Sequence, residues 1–379
     1  MKNGKYNILM MVSWYGPQGK TLKGGGFHYN MVQSLNEYCN CAIYYPYDRN
    51  IENTFSKGIE WGILTYRSKY NLKNKIRNRV YMYNAMKKIV KDFQPDIIHA
   101  NVATECGRFA VVLGKLFNIP VIISEHSSVE ASGVKEFPHY YYAKFAYGGS
   151  KYNTCVSDDL TNKMKEIFPK YSFKTVYNGI KPVEGMHLTK GYRIENAYNV
   201  GFVASLYDDK IKGLQYLFPA LKKLLEDDVQ IYLHLVGGGK YLEHFKKLAD
   251  EIGISDYCIF YGGCQKEEVY SIISDMDFLV SASIFESFGC AIAESLLLGV
   301  PVVATKCGGP ESIINSNNGI LVEKESTDAL YNGIKEMISK YSTYDVAKLK
   351  KEAYDKFSLE KISKEYLAIY DSVLQVKSK

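Results

Sequence analysis

The stretch Ser283-Ile284-Phe285-Glu286-Ser287-Phe288-Gly289-Cys290-Ala291-Ile292-Ala293-Glu294 places two carboxylates around a glycine. A glycine at that point lets the backbone turn tightly and open a helix. The first N–H groups of a helix lack intrahelical partners and favour an anionic or hydroxyl-rich ligand. A carboxylate accepts two hydrogen bonds side by side, which suits adjacent hydroxyls of a sugar or ribose. Glu286 falls on the loop entering the helix and Glu294 about two turns later, so both are expected to face one crevice. Gly308-Gly309 follows as a second glycine turn, expected to present further backbone N–H groups. Either glutamate alone reads as an ordinary surface residue. The ordered set of strand, carboxylate, glycine turn, helix carboxylate, strand and glycine pair is what points to a ligand site.

Such a site needs strands that end at it. Short apolar runs recur at residues 7–13, 41–45, 97–100, 121–124, 198–203, 231–236, 258–261, 277–281 and 301–305. Segments of helical period lie between them, among them 26–38, 76–92 and 107–117. This alternation predicts an α/β protein with doubly wound parallel sheets, which bind ligands outside the carboxyl ends of their strands. The pattern restarts near residue 198 after a polar, strand-poor stretch, which divides the chain into domains of residues 1–185 and 186–357. Residues 358–379 read as a final helix with Leu359, Ile362, Tyr366, Ile369 and Val373 on one stripe.

A chain of 379 residues suits two domains, and its composition excludes disordered and collagen-like classes. The 33 tyrosines accompany abundant Lys, Asn and Ile and are read as genomic bias rather than a binding surface. A net charge of +6 fits phosphate or an anionic surface and does not call for nucleic acid. The positive charge concentrates in Lys69, Lys73, Lys75, Arg77, Arg79, Lys87, Lys88 and Lys91, with Asp92 at its edge. That stretch reads either as a solvated helix face or as a patch meeting anionic lipid or a lipid-phosphate acceptor. The eight cysteines form no CxxC pair, so a zinc or redox site is not expected and a reducing cytosol is. No apolar run reaches the length of a membrane span or of a signal peptide, so the expected location is cytoplasmic, with any membrane contact peripheral.

Glu286 through Glu294 matches the E-x7-E signature of glycosyltransferase family 4, within the GT-B superfamily, and residues 281–319 resemble that family throughout. Weaker resemblance extends over most of the chain. It includes Gly24-Gly25-Gly26, Pro95 to Ala100, Glu125-His126, Asn178-Gly179-Ile180, Lys212-Gly213 and Val236-Gly237-Gly238-Gly239. The resemblance implies two Rossmann-like domains facing a cleft, with acceptor on the first, nucleotide sugar on the second, and the last helix crossing back to the first. It implies a retaining transfer from a nucleotide diphosphate sugar, UDP being the commonest carrier and GDP the next. The acceptor would be a glycan or lipid-linked glycan for a cell-surface polysaccharide.

By the same resemblance Glu294 would bind ribose hydroxyls and Glu286 those of the transferred sugar. Backbone amides of Phe288, Gly289 and Cys290 would hold sugar and phosphates, and Gly237 would belong to the donor site. Lys212 matches the family's phosphate lysine, with Lys210 close by to assist a negatively charged leaving group. The family's arginine just upstream is replaced here in Ala204-Ser205-Leu206. In the first domain Gly25 and Gly26 would approach the diphosphate, and His126, after a strand end, would reach the donor sugar or reaction centre. Ser127 and Ser128 would line the acceptor side; His28 and His99 rank lower. Asp275-Met276-Asp277 imitates the D-x-D of another glycosyltransferase fold, but here it precedes a buried strand, so no essential metal or other cofactor is expected. Three rivals stand beside this reading. One is another GT-B enzyme, a sugar phosphorylase or nucleotide-sugar epimerase. One is a nicotinamide-dependent oxidoreductase, which would need G-x-G-x-x-G after the first strand. The third is a non-catalytic nucleotide-sugar-binding subunit, which the missing arginine keeps open.

Overall fold

The computed structural model describes residues 5–16, 26–181 and 188–375. The chain divides into two compact units, Met1–Lys181 with Leu359–Lys379, and Pro182–Ser358.

The first unit is built on eight strands: β1 (Asn7–Met11), β2 (Asn40–Asp48), β3 (Phe55–Glu60), β4 (Ile63–Lys69), β5 (Ile97–Asn101), β6 (Val121–Glu125), β7 (Tyr152–Cys155) and β8 (Lys174–Thr175). Their order is β3-β4-β2-β1-β5-β6-β7-β8, parallel except for the β3–β4 hairpin. β1, β5 and β6 are buried at every position, as central strands covered on both faces must be. β1 pairs with β2 on one side (Ile8 opposite Cys41) and with β5 on the other (Ile8 opposite Ile97). The strand order therefore reverses between β1 and β5, and the loops leaving their carboxyl ends diverge there.

The second unit carries six parallel strands: β9 (Tyr198–Val203), β10 (Ile231–Val236), β11 (Cys258–Gly262), β12 (Phe278–Ser281), β13 (Val302–Thr305) and β14 (Gly319–Val322). Their order, β11-β10-β9-β12-β13-β14, puts the reversal between β9 and β12. The core gathers Phe202, Leu217, Phe218, Leu233, Phe245, Phe278 and Val303.

The final helix, Leu359–Gln375, belongs to the first unit by its packing: Ile362, Tyr366, Ile369, Tyr370 and Val373 enter the core formed by β1, β2 and the helix Gly26–Leu35. Its tyrosine hydroxyls are also spoken for. His99 Nδ1 meets Tyr370 Oη at 2.8 Å, and Ser124 Oγ lies 2.6 Å from His99 Nε2 and 3.0 Å from Tyr366 Oη. A buried polar group needs such a partner, so His99 is a structural tie between β5 and this helix.

Several expected elements shift at their ends. The helix expected over 26–38 stops at Leu35, and the one expected from residue 107 begins at Arg108, behind a π-helical turn, Val102–Gly107. The strands β3, β4, β7, β8 and β14 were not expected. β3 alternates exposed with partly buried positions at a sheet edge, and β8 is two residues long, so neither carries an apolar run.

Candidate functional site

In the second unit the reversal of strand order brings together the loops after β9 and β12. The first turns on Asp208, whose Oδ1 accepts from the amides of Lys210 (2.9 Å) and Ile211 (3.0 Å). It is then fastened to the second loop. The Ile284 amide donates to Ile211 O at 2.8 Å, and Gly213 (φ 71°) lies so close to the Ala282 carbonyl that a Cβ would sit 1.8 Å from its oxygen. Only glycine supplies both that backbone conformation and that approach. Lys212, between these two fixed points, reaches Glu286: its Nζ donates to Oε1, and both side chains are about one-fifth exposed. Ser283 Oγ donates to the same Oε1 at 2.9 Å, and Thr305 holds the Ser283 carbonyl at 2.5 Å.

Glu286 is also fixed through its backbone. Its amide donates to Cys307 O (3.2 Å) and its carbonyl accepts from Gly309 N (2.8 Å). The Gly308 amide is taken by the Glu311 carboxylate at 2.9 Å. The glycine pair thus serves close packing rather than anion binding: a Cβ on Gly309 would stand 2.2 Å from Phe288 O. This corrects the expectation of a second open amide turn. Gly237 is also closely packed. Its amide donates to Gly262 O (2.7 Å), and a Cβ would lie 1.7 Å from Ala204 O, so it lets adjacent strand-end loops meet.

Gly289 (φ 102°) caps the helix Cys290–Leu297, as expected, and directs its N-terminus to the strand ends. Phe288 is buried and packs edge-on against Phe357. Glu294 does not share Glu286's partners. It is nearly buried and pairs with Lys266, at the start of the helix Lys266–Ser274. Lys266 was missed: nothing in Gln265-Lys266-Glu267-Glu268 distinguishes it from a solvated helix end. Ser205 and Lys210 are exposed on the β9 loop, with no arginine beside them. Asp275 and Asp277 fasten the segment before β9. Asp275 accepts from the Gly191 and Tyr192 amides and pairs with Lys190, while Asp277 accepts from Arg193 and the Asn199 amide.

In the first unit His126 is buried just beyond β6. Its Nε2 is 2.8 Å from Asn101 Oδ1, and Asn101 Nδ2 is 3.3 Å from His28 Nδ1. Since the amide oxygen can only accept, His126 donates from Nε2. Burial lowers its pKa to about 4, so it is a neutral imidazole at pH 7. The preceding Glu125 carboxylate collects the amides of Ala103, His126 and Ser127 and the Tyr147 hydroxyl, and burial raises its pKa. Across the sheet, Val102 holds φ 67°, an outlying conformation for a β-branched residue, at the mouth of the π-helical turn. Strain of this kind concentrates at ligand sites. Ser128 caps the short helix Val129–Ser132 by accepting from the Ala131 amide. Gly26 opens the helix Gly26–Leu35, whereas Gly24 and Gly25 lie outside the described residues.

Two families of known sequences align with this chain: Glycosyltransferase Family 4 over residues 41–184 and Glycosyl transferases group 1 over residues 190–356. An uncharacterized glycosyltransferase of Methanocaldococcus jannaschii is 28% identical over 88% of this chain and 97% of its own length. The chain belongs to glycosyltransferase family 4. The N-acetyl-alpha-D-glucosaminyl L-malate synthase of Bacillus anthracis is 27% identical to this glycosyltransferase over 61% of the chain, which spans 62% of that relative's length. A second M. jannaschii glycosyltransferase is likewise matched over 62% of its length. Among solved structures, Anabaena HepE in complex with UDP and glucose superposes with a TM-score of 0.77 at 18% identity, over 97% of this chain and 100% of that one. The fold is GT-B.

Proposed function

We propose that this glycosyltransferase moves a sugar from a nucleotide diphosphate carrier, UDP foremost, to a glycan or lipid-linked acceptor, with retention of anomeric configuration. The reading rests on one observation: Lys212 and Glu286 are brought together where the second sheet reverses its strand order. Unliganded, each neutralises the other. A bound diphosphate competes for the ammonium, and sugar hydroxyls compete for the carboxylate. The UDP complex of HepE, a protein of the same fold, agrees with that carrier.

In the reaction the acceptor oxygen bonds to the anomeric carbon on the face from which the diphosphate departs. The bond from that carbon to phosphate breaks, its electron pair stays with the diphosphate, and the hydroxyl proton passes to the departing phosphate oxygen. Lys212, assisted by Lys210, meets the charge that develops there, as does the N-terminus of the helix at Gly289. Glu286 positions the sugar. Glu294, released from Lys266, receives the ribose. Neutral His126 supports the first unit's strand-end surface, where the acceptor binds. The Asp275 and Asp277 carboxylates are committed to Lys190, Arg193 and backbone amides, so the reaction we propose does not call on this D-x-D pair to hold a metal. The setting we propose is cell-surface polysaccharide synthesis at the cytoplasmic face of a membrane; no helix among the described residues is long and apolar enough to cross one.

Nucleoside diphosphate release from a panel of UDP- and GDP-sugars tests this, with and without EDTA. Release from one donor is expected, insensitive to EDTA and reduced about 100-fold or more in Glu286→Ala and Lys212→Ala. Lys266→Ala should change donor KM more than kcat. The absence of both release and binding for every donor would overturn the reading.

A further inference from the structure

Ser205 falls in the segment where an arginine of the family is missing, so the β9 loop offers a departing diphosphate one cation fewer. The charge balance there is tight. Lys212 is matched by Glu286, which stays in the site, so the pair brings no net positive charge to a leaving group with several negative ones. Lys210 adds one charge. A further cation has to come from another loop.

The loop after β10 is laid directly against the segment that lacks the arginine. The Leu206 amide donates to Gly238 O at 3.0 Å, and the Tyr241 amide donates back to Leu206 O at 3.0 Å. The approach depends on glycine: a Cβ on Gly239 would stand 2.2 Å from Leu206 O. Residues 237–239 are all glycine, so the first side chain beyond Val236 is that of Lys240.

That side chain is exposed, and its ammonium is held 4.6 Å over the ring of Tyr241, the residue whose amide is tied to Leu206. Among the described residues Lys240 joins no ion pair. Its field does reach the β9 loop. The Asp208 carboxyl is held below its usual range first by the Ile211 and Lys210 amides, then by the ammonium groups of Lys240 and Lys210. Asp208 Oδ1 already accepts from those two amides. Two ammonium groups from different loops therefore flank the turn that leads into Lys212.

We propose that Lys240 takes the part of the missing arginine: it binds the donor's diphosphate from the β10 loop, alongside Lys210 and Lys212, and meets the charge on the departing phosphate. The proposal rests on the diphosphate-donor reading and adds to it a residue that the family's motifs do not contain. It also explains how a chain with no arginine beside Ser205 keeps a working donor site.

Binding of UDP and GDP to the full chain, measured against uridine and guanosine, tests the proposal. Lys240→Gln alters an exposed side chain and should leave Tm unchanged. It should weaken binding of the preferred diphosphate about tenfold or more, as loss of one charge-assisted contact does, and leave nucleoside binding as it was. Lys240→Arg should keep the wild-type affinity. Ser205→Arg in the Lys240→Gln background returns a cation to the β9 loop and should recover most of the lost affinity and of nucleoside diphosphate release. Wild-type diphosphate binding in Lys240→Gln, alongside a loss in Lys212→Ala, overturns the proposal and leaves the donor reading intact. An equal loss of diphosphate and nucleoside affinity in Lys240→Gln also overturns it, since the effect would then be structural. No binding of either diphosphate to wild type overturns both.

Discussion

Gly213→Ala tests whether the β9 loop must lie against β12 for the donor site to work. An added Cβ would stand 1.8 Å from Ala282 O and 2.7 Å from Ala282 C. Reaching even 3.0 Å from that oxygen needs a shift of 1.2 Å (3.0 minus 1.8), and the obstacle is backbone that cannot swing aside. The residue is also held at φ 71°, which costs a non-glycine residue about 1–2 kcal/mol. Gly253 provides the control. It has φ 79° but nothing within 4 Å of its Cβ position, so Gly253→Ala bears the conformational cost alone. Each kcal/mol lowers Tm by about 2–4 °C in a unit of this size. A displacement of about 1 Å at a positioning group can cost about 100-fold in rate. The expected result is therefore a modest Tm fall for Gly253→Ala with full nucleoside diphosphate release. For Gly213→Ala, a larger Tm fall and a loss of kcat/KM of about 100-fold are expected. Equal Tm falls with undiminished release in Gly213→Ala would refute the claim that this contact places Lys212.

Two further outcomes follow from buried charge. Arg67 is 1% exposed and pairs with Asp48 at 2.6 Å and Glu60 at 2.5 Å, so Arg67→Met strands two buried carboxylates. Urea unfolding should show a loss of about 3–5 kcal/mol in the first unit, and a loss under about 1 kcal/mol would contradict the account. Acid should also weaken that unit. Burial lowers His126 to about 4 and His99 to about 3 from an ordinary 6.5, so the unfolded chain binds more protons below pH 6.5. Their contribution is complete above pH 6.5 and is lost as pH falls toward those values. By pH 5 the loss is about 2 kcal/mol each, partly offset by Glu125, whose raised pKa acts in the opposite sense. The Tm of the first unit should drop between pH 7 and 5, and His99→Gln should flatten that slope; an unchanged slope would place the sensitivity elsewhere.

The amino-acid sequence by itself determined the central strands buried on both faces, because such strands carry short apolar runs: residues 97–100 and 121–124 were legible, and each strand runs one residue further, to Asn101 and Glu125. It determined the glycine cap before Cys290 and the stripe of the last helix, since both are local patterns of type and spacing. Tertiary structure alone decided which charges meet. Lys212 and Glu286 are 74 residues apart, and Lys266 and Glu294 are 28 apart, so no periodicity links them. Glu286 and Glu294 looked like partners because they lie close in sequence, yet each found a lysine from another loop. The glycines 308–309 looked like an open amide turn. Packing used their missing Cβ instead, because neighbouring strand-end loops needed the space and took the amides.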